Sequence, residues 1–118
     1  MNIPIEYINK SKYLLVKLSG AWTKDNMFKA LEGIKIEADK HDKKLILFDT
    51  LNLSPPANEM IRFETGVKIA ETFSGLYKIA ALAQPGHITR FAETVAQNRG
   101  SIFQVFDSET DALNWLLS

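Results

Sequence analysis

The chain has 118 residues, of which 46% are hydrophobic and 24% charged, and its formal net charge at pH 7 is +0. A chain of this length buries about two-thirds of the surface that its unfolded form exposes, so we expect one domain over residues 1–118. The balanced charge gives no field that would concentrate the protein on nucleic acid or on an anionic membrane. The chain has no cysteine, which excludes thiol nucleophiles, disulfides and thiolate metal ligands.

The amino-terminal segment MNIPIEYINK lacks the basic segment and the apolar run of a signal peptide. No apolar run in the chain is long enough to span a membrane. These features predict a soluble cytoplasmic protein that neither binds nucleic acid nor inserts into a membrane.

The first elements are predicted to form an antiparallel hairpin, because apolar residues alternate on both sides of a polar turn at residues 9–12. The alternating residues are Ile3, Ile5, Tyr7, Leu14, Val16 and Leu18. Pro4 places the first strand at an edge of the sheet, because proline cannot donate a hydrogen bond to a neighbouring strand.

Residues 23–41 carry apolar side chains every three or four positions, which predicts a surface helix with Thr23 as its N-cap. The apolar run at residues 45–48 predicts an interior strand that is covered on both faces. A second helix is predicted to begin at Ser54, which resembles an N-cap followed by prolines in the first turn.

The second helix is predicted to bury one apolar stripe. Its members are Met60, Phe63, Val67, Ala70 and Phe73. Gly66 costs the helix about 1 kcal/mol relative to alanine, so we expect it to mark a close packing contact.

The remaining pattern consists of a strand at 77–83, a turn at 84–86, a helix from 88 to about 100, a strand at 102–106 and a final helix after Ser108. The order ββαβαβαβα predicts an α/β fold with a mostly parallel five-stranded sheet, an amino-terminal antiparallel hairpin and four helices.

Three segments, YKIAAL at 77–82, FQVFD at 103–107 and DALNWL at 111–116, follow one another at a characteristic spacing. In this order they resemble the small bacterial SpoIIAA-like proteins that are related to the STAS domain. The resemblance implies one SpoIIAA-like (STAS-like) domain, whose architecture is related to that of lipid-binding CRAL-TRIO domains.

STAS domains of the anti-sigma factor antagonist type carry an Asp-Ser-Ser-Gly-like motif at the start of their second helix, and an anti-sigma kinase phosphorylates its serine. In this chain the motif would fall at residues 57–60, which read ANEM and contain no serine. The resemblance therefore implies an interaction module without this phosphoswitch, and the nearby Ser54 does not replace the missing serine.

Four polar residues are candidates for a binding site at the carboxyl edge of the predicted sheet. Asp49 follows a strand at the position where open α/β sheets bind ligands, or else it accepts hydrogen bonds from the loop that follows. Ser54 is a helix cap or, alternatively, a phosphoacceptor. His87 and Arg90 precede a helix and could receive an anion there, or they could have ordinary surface roles.

No chemical motif accompanies these residues. His41 and His87 are far apart and neither has a second ligand beside it, so we predict no metal site. No glycine-rich phosphate loop and no spacing typical of a catalytic triad is present. We therefore predict no cofactor and no catalytic residue.

Three functions are considered. The first is a non-enzymatic regulatory protein-interaction module, and the second is a carrier of a small molecule or lipid. The third is an enzyme that uses Asp49 and His87, and it ranks far behind the other two. Ile61 and Ile69 lie outside the predicted buried stripe, so they are predicted to form a homodimer or partner surface unless a neighbouring helix covers them. An enclosed apolar cavity at the carboxyl edge would favour the carrier, and a flat surface would favour the interaction module.

Overall fold

The computed structural model describes residues 3–118, so Met1 and Asn2, part of the segment that lacks a signal-peptide pattern, lie outside the described residues. The strands are β1 (Ile5–Asn9), β2 (Leu14–Ala21), β3 (Leu45–Ser54), β4 (Lys78–Leu82) and β5 (Ile102–Phe106). The helices are α1 (Lys24–Lys40), α2 (Glu59–Phe73), α3 (Phe91–Asn98) and α4 (Glu109–Leu116), and a short 3-10 turn at Pro85–His87 precedes α3. The predicted order ββαβαβαβα is confirmed.

The five strands form one sheet in the order β1-β2-β3-β4-β5. Strands β1 and β2 are antiparallel, and every later pair is parallel, as predicted. The three crossovers β2–α1–β3, β3–α2–β4 and β4–α3–β5 each connect one strand to the next in the same direction across the sheet. Crossovers of the same handedness that run in one direction place their helices on one face of the sheet. Accordingly, α1, α2 and α3 pack on one face, and α4 packs on the other.

Strand β3 lies at the centre of the sheet and is buried on both faces, as its apolar sequence predicts. Ile46 and Phe48 face α1, α2 and α3, whereas Leu47 between them faces α4. The strand is longer than predicted, because it continues to Ser54 beside β2 after a shift in register.

The predicted start of α2 at Ser54 is wrong. Ser54 is the last residue of β3, where it is exposed and pairs with Ala21. The helix begins at Glu59, and the Asn58 side chain caps it by accepting a hydrogen bond from the Ile61 N–H at 3.2 Å. Continued strand pairing therefore holds Ser54 in extended backbone, away from the first helical turn.

The predicted buried stripe of α2 is also partly wrong. The buried residues are Arg62, Thr65, Gly66, Ile69, Ala70 and Phe73. Met60 is 62% exposed, whereas Ile69 is only 2% exposed and lies in the core instead of on the predicted partner surface. Ile61 is half-buried. The buried face differs from the apolar pattern because two polar residues, Arg62 and Thr65, face inward and contact Trp22.

Gly66 marks the closest approach between α2 and α3, as expected from its position within a helix. A Cβ atom added at Gly66 would lie 2.7 Å from the carbonyl oxygen of Ala92 and 2.9 Å from the Cβ of Val95. The two helices can pack at this distance only because residue 66 has no side chain.

We expect Gly66→Ala to lower the free energy of unfolding by about 1 to 3 kcal/mol, because the new methyl group forces α2 and α3 apart. Gly33→Ala in α1 is the matched control, since its Cβ would lie an ordinary 3.4 Å from the Tyr7 hydroxyl. The control should be neutral or stabilising by up to about 1 kcal/mol through helix propensity. Urea unfolding of both variants measures the difference, and equal effects would show that the α2–α3 contact tolerates a side chain.

Candidate functional site

A cavity of about 80 Å³ lies between the sheet and the three helices α1, α2 and α3, near the carboxyl ends of the strands. Its lining is mostly apolar and comes from both the sheet and the helices. The main apolar residues are Leu18, Met27, Leu31, Phe48, Leu53, Ile69, Phe103 and Val105. Open α/β sheets commonly bind ligands at this edge.

The structure does not bring the four predicted edge residues together at one site. His87 and Arg90 line the cavity. Asp49 instead follows Phe48 in the alternation of β3, which places it on the opposite face, and its carboxylate accepts a hydrogen bond from the Leu51 N–H at 3.0 Å. That bond is the local alternative considered from the sequence. Ser54 lies exposed at the end of β3, outside the cavity lining.

Arg62 lines the cavity, although it was not among the site residues predicted from the sequence. It is 8% exposed, and its guanidinium lies 5.0 Å from the centre of the Trp22 ring, in the geometry of a cation–π contact. The indole N–H of Trp22 donates to the Thr65 hydroxyl at 3.0 Å, and that hydroxyl donates to the Ile61 carbonyl at 2.7 Å. These contacts fix the positions of Trp22, Arg62 and Thr65 along one wall of the cavity.

A sequence signal for Arg62 does exist. Arg62, Thr65, Gly66, Ile69 and Phe73 recur at spacings of three and four, so they form one continuous helical stripe. Only an expectation that arginine faces solvent removes Arg62 from this stripe.

Arg90 and Glu93 form a second polar wall, which also covers the edge strand β5. Glu93 is 7% exposed, and its carboxylate accepts hydrogen bonds from Arg90 Nη1 at 3.1 Å and from the Val105 N–H. Arg90 Nη1 also donates to the Val105 carbonyl at 2.7 Å, and Gln97 Nε2 donates to the Phe103 carbonyl at 2.8 Å. Side chains at the start and along the length of α3 thus bind backbone groups that an edge strand would otherwise present to solvent.

Arg90 has a φ of 65°, in the left-handed region that residues other than glycine rarely adopt. The hydrogen bonds of its side chain to Glu93 and Val105 hold it in this conformation at the N-cap of α3. The sequence prediction of Arg90 at this edge did not extend to its partner Glu93, because pattern analysis assigns a glutamate in a first helical turn to solvent.

The arrangement is suited to binding. The cavity lining contains two cationic side chains, Arg62 and Arg90, and one carboxylate, that of Glu93. The hydroxyls of Thr50 and Thr65 donate to the carbonyls of Leu82 and Ile61, so neither is paired with a general base. Among residues 3–118, no group of three or more histidine, aspartate or glutamate side chains is placed to hold a metal ion.

We expect Glu93→Ala to lower the free energy of unfolding by about 1 to 3 kcal/mol, because it leaves the partly buried Val105 N–H without its acceptor and Arg90 without its anion. Thr94→Ala is the control, since Thr94 is the exposed neighbour on the same helix and should change stability by less than about 0.5 kcal/mol. Thermal and urea unfolding provide the measurement. An effect of Glu93→Ala no larger than that of the control would contradict a stabilising role for this contact.

A separate apolar surface lies outside the cavity, where α2 begins beside α3. It consists of Met60, Phe63 and Phe91, which we call the α2–α3 patch. The rings of Phe63 and Phe91 lie 6.3 Å apart between centroids, and the Arg99 guanidinium lies 5.5 Å from the Phe63 ring. Met60 and Phe91 are exposed large hydrophobic residues.

Solved structures that share the fold of this chain include the following two. An uncharacterized protein of the DUF3478 family with a SpoIIAA-like fold, from Shewanella loihica PV-4, aligns with a TM-score of 0.61 and 22% identity over 98% of this chain and 93% of that chain. An anti-sigma factor antagonist from Mycobacterium paratuberculosis aligns with a TM-score of 0.69 and 13% identity over 99% of this chain and 96% of that chain. The protein therefore has the SpoIIAA-like fold that its sequence motifs predict.

No family model matches the sequence, and no curated protein matches it. Within residues 3–118, each helix is too short or too polar to cross a bilayer.

Proposed function

We propose that this protein is a non-enzymatic regulatory module that binds a protein partner through the α2–α3 patch. The observation that carries the proposal is the exposure of Met60 and Phe91 beside Phe63 on one surface. Clustered exposed apolar side chains on a protein surface commonly mark an interaction site. A solved anti-sigma factor antagonist with the same fold supports a regulatory role of this kind.

The start of α2 supports partner binding without a phosphoswitch. Asn58 occupies the N-cap position and Met60 follows in the first turn. Both lie within residues 57–60, where the resemblance to STAS antagonists implies that their phosphorylatable serine would fall. An amide and a thioether cannot accept a phosphoryl group from a kinase. The proposed α2–α3 patch would therefore be available to a partner without phosphoryl transfer at residues 57–60.

The test uses a photo-crosslinking amino acid placed at Met60, followed by mass spectrometry of the captured proteins from the source cells. A matched probe at Ile36 is the control, because Ile36 is 69% exposed but lies on α1. We expect one partner to be captured from position 60 and not from position 36. Its affinity for the purified protein should fall about tenfold or more in Phe91→Glu, which removes an aromatic contact and introduces a charge.

Ile36→Glu should leave that affinity unchanged, because it introduces the same charge on α1, outside the patch. Capture of the same proteins from both positions, or full affinity in Phe91→Glu, would contradict the proposed surface.

The second candidate function is carriage of a small apolar molecule, and the cavity is the observation that favours it. Its volume of about 80 Å³ is well below the roughly 300 to 1,000 Å³ of typical pockets for drug-sized ligands. This comparison favours a molecule of a few heavy atoms over a lipid with a long acyl chain. The apolar lining would bind the body of such a molecule, and the polar wall would bind its head group.

A further inference from the structure

Arg62 places a buried cation in the lining of the cavity, and its charge is only partly balanced by protein groups. Arginine has five N–H donors in one plane. Glu59 Oε1 lies 3.3 Å from Nε, but the Glu59 side chain is mostly exposed, whereas that of Arg62 is mostly buried. The Trp22 ring contacts one face of the guanidinium. Within residues 3–118, these contacts leave the donors of both Nη groups without a protein acceptor.

The other charges of the lining do not balance Arg62. The Glu93 carboxylate is already bound by Arg90 and by the Val105 N–H. The Thr65 hydroxyl donates its proton to the Ile61 carbonyl and accepts from the Trp22 indole. The Nη atoms are not among the buried polar atoms that lack a partner, so water reaches them. An anion that enters the cavity can take the place of this water, and the mostly apolar lining strengthens its attraction to the guanidinium.

We propose that the cavity binds a small monocarboxylate, with the carboxylate on the two Nη groups of Arg62 and the apolar tail between Met27, Leu31 and Phe103. The inference rests on the second proposed function, because it specifies the head group of the carried molecule. Planar guanidinium groups bind carboxylates through two parallel hydrogen bonds, which suits two free Nη groups side by side.

The size of the cavity limits the tail. A water molecule takes roughly 30 Å³ in the liquid, and a dry cavity of about 150 Å³ binds benzene. A cavity of about 80 Å³ therefore holds an apolar tail of about two to four carbons. Longer acids have to displace core side chains, so affinity is greatest at short chain lengths.

The experiment titrates the wild-type protein with butyrate, with the neutral isostere butyramide and with inorganic phosphate. The indole N–H signal of Trp22 in nuclear magnetic resonance spectra reports binding locally, because this ring contacts Arg62. Butyrate should shift the signal saturably, and both butyramide and phosphate should bind about tenfold more weakly or worse. Butyrate should also bind more tightly than acetate or octanoate.

Arg62→Met removes the guanidinium and keeps an unbranched apolar side chain, and it should weaken butyrate binding about tenfold or more while leaving butyramide binding unchanged. Arg99→Met is the matched control, because Arg99 is exposed, contacts the Phe63 ring and is not part of the cavity lining, so its loss should not affect butyrate binding. If Arg62→Met does not fold, the comparison of butyrate with butyramide in the wild type still decides the matter.

The possible outcomes distinguish failure of the carboxylate site from failure of the carrier function. Equal binding of butyrate and butyramide would overturn the carboxylate site and leave small-molecule carriage standing. Binding of phosphate as tight as that of butyrate would overturn the role of the apolar tail and show a general anion site. No saturable shift with any of the organic probes would overturn both the carboxylate site and the carrier function.

Discussion

The burial of β3 on both faces is the constraint on which the architecture depends. Its alternating residues have to be covered by different layers, because Phe48 faces one side of the sheet and Leu47 the other. The crossover helices α1, α2 and α3 cover the first side, and α4 covers the second with a smaller apolar cluster. A sheet covered this way has functional surfaces only at its ends and on the outer faces of its helices.

The cavity lies where the larger of these two layers is least apolar. Over most of the layer the helices contribute aliphatic and aromatic side chains, but near the carboxyl edge α2 contributes Arg62 and Thr65, and α3 contributes Glu93. These polar groups bond to Trp22 and to the backbone of β5, which keeps them from filling the space as a core side chain would. The same residues therefore hold the layer together and leave room inside it.

The order and type of the elements could be predicted because they depend on local signals: alternation in the hairpin, apolar runs in the interior strands and capping residues such as Thr23 and Ser108. The start of α2 could not, since the extended backbone at Ser54 depends on pairing with Ala21, which is distant in sequence. The burial of Arg62 likewise depends on Trp22, in the loop between β2 and α1.

The candidate site was predictable to a similar extent. The rule that ligands bind at the carboxyl edge selected His87 and Arg90, which do line the cavity. The same rule selected Asp49, but a strand directs successive residues to opposite faces, so its side chain lies on the α4 side. The sequence pattern ends the apolar run at Phe48 and so does not show that β3 continues to Ser54, with Asp49 inside the strand. Ile69 was misplaced for a related reason, since a periodicity does not say which of two apolar faces meets the sheet.

The contact between α3 and β5 has a consequence for the dynamics of this edge. Amides on the outer side of an edge strand usually exchange quickly with solvent deuterium, because water reaches them directly. The Val105 amide instead donates to a buried carboxylate on α3, so its proton can exchange only after that helix moves away from the strand. Its exchange rate therefore reports how often α3 opens, and with it how often the part of the cavity lined by Arg90 and Glu93 becomes accessible.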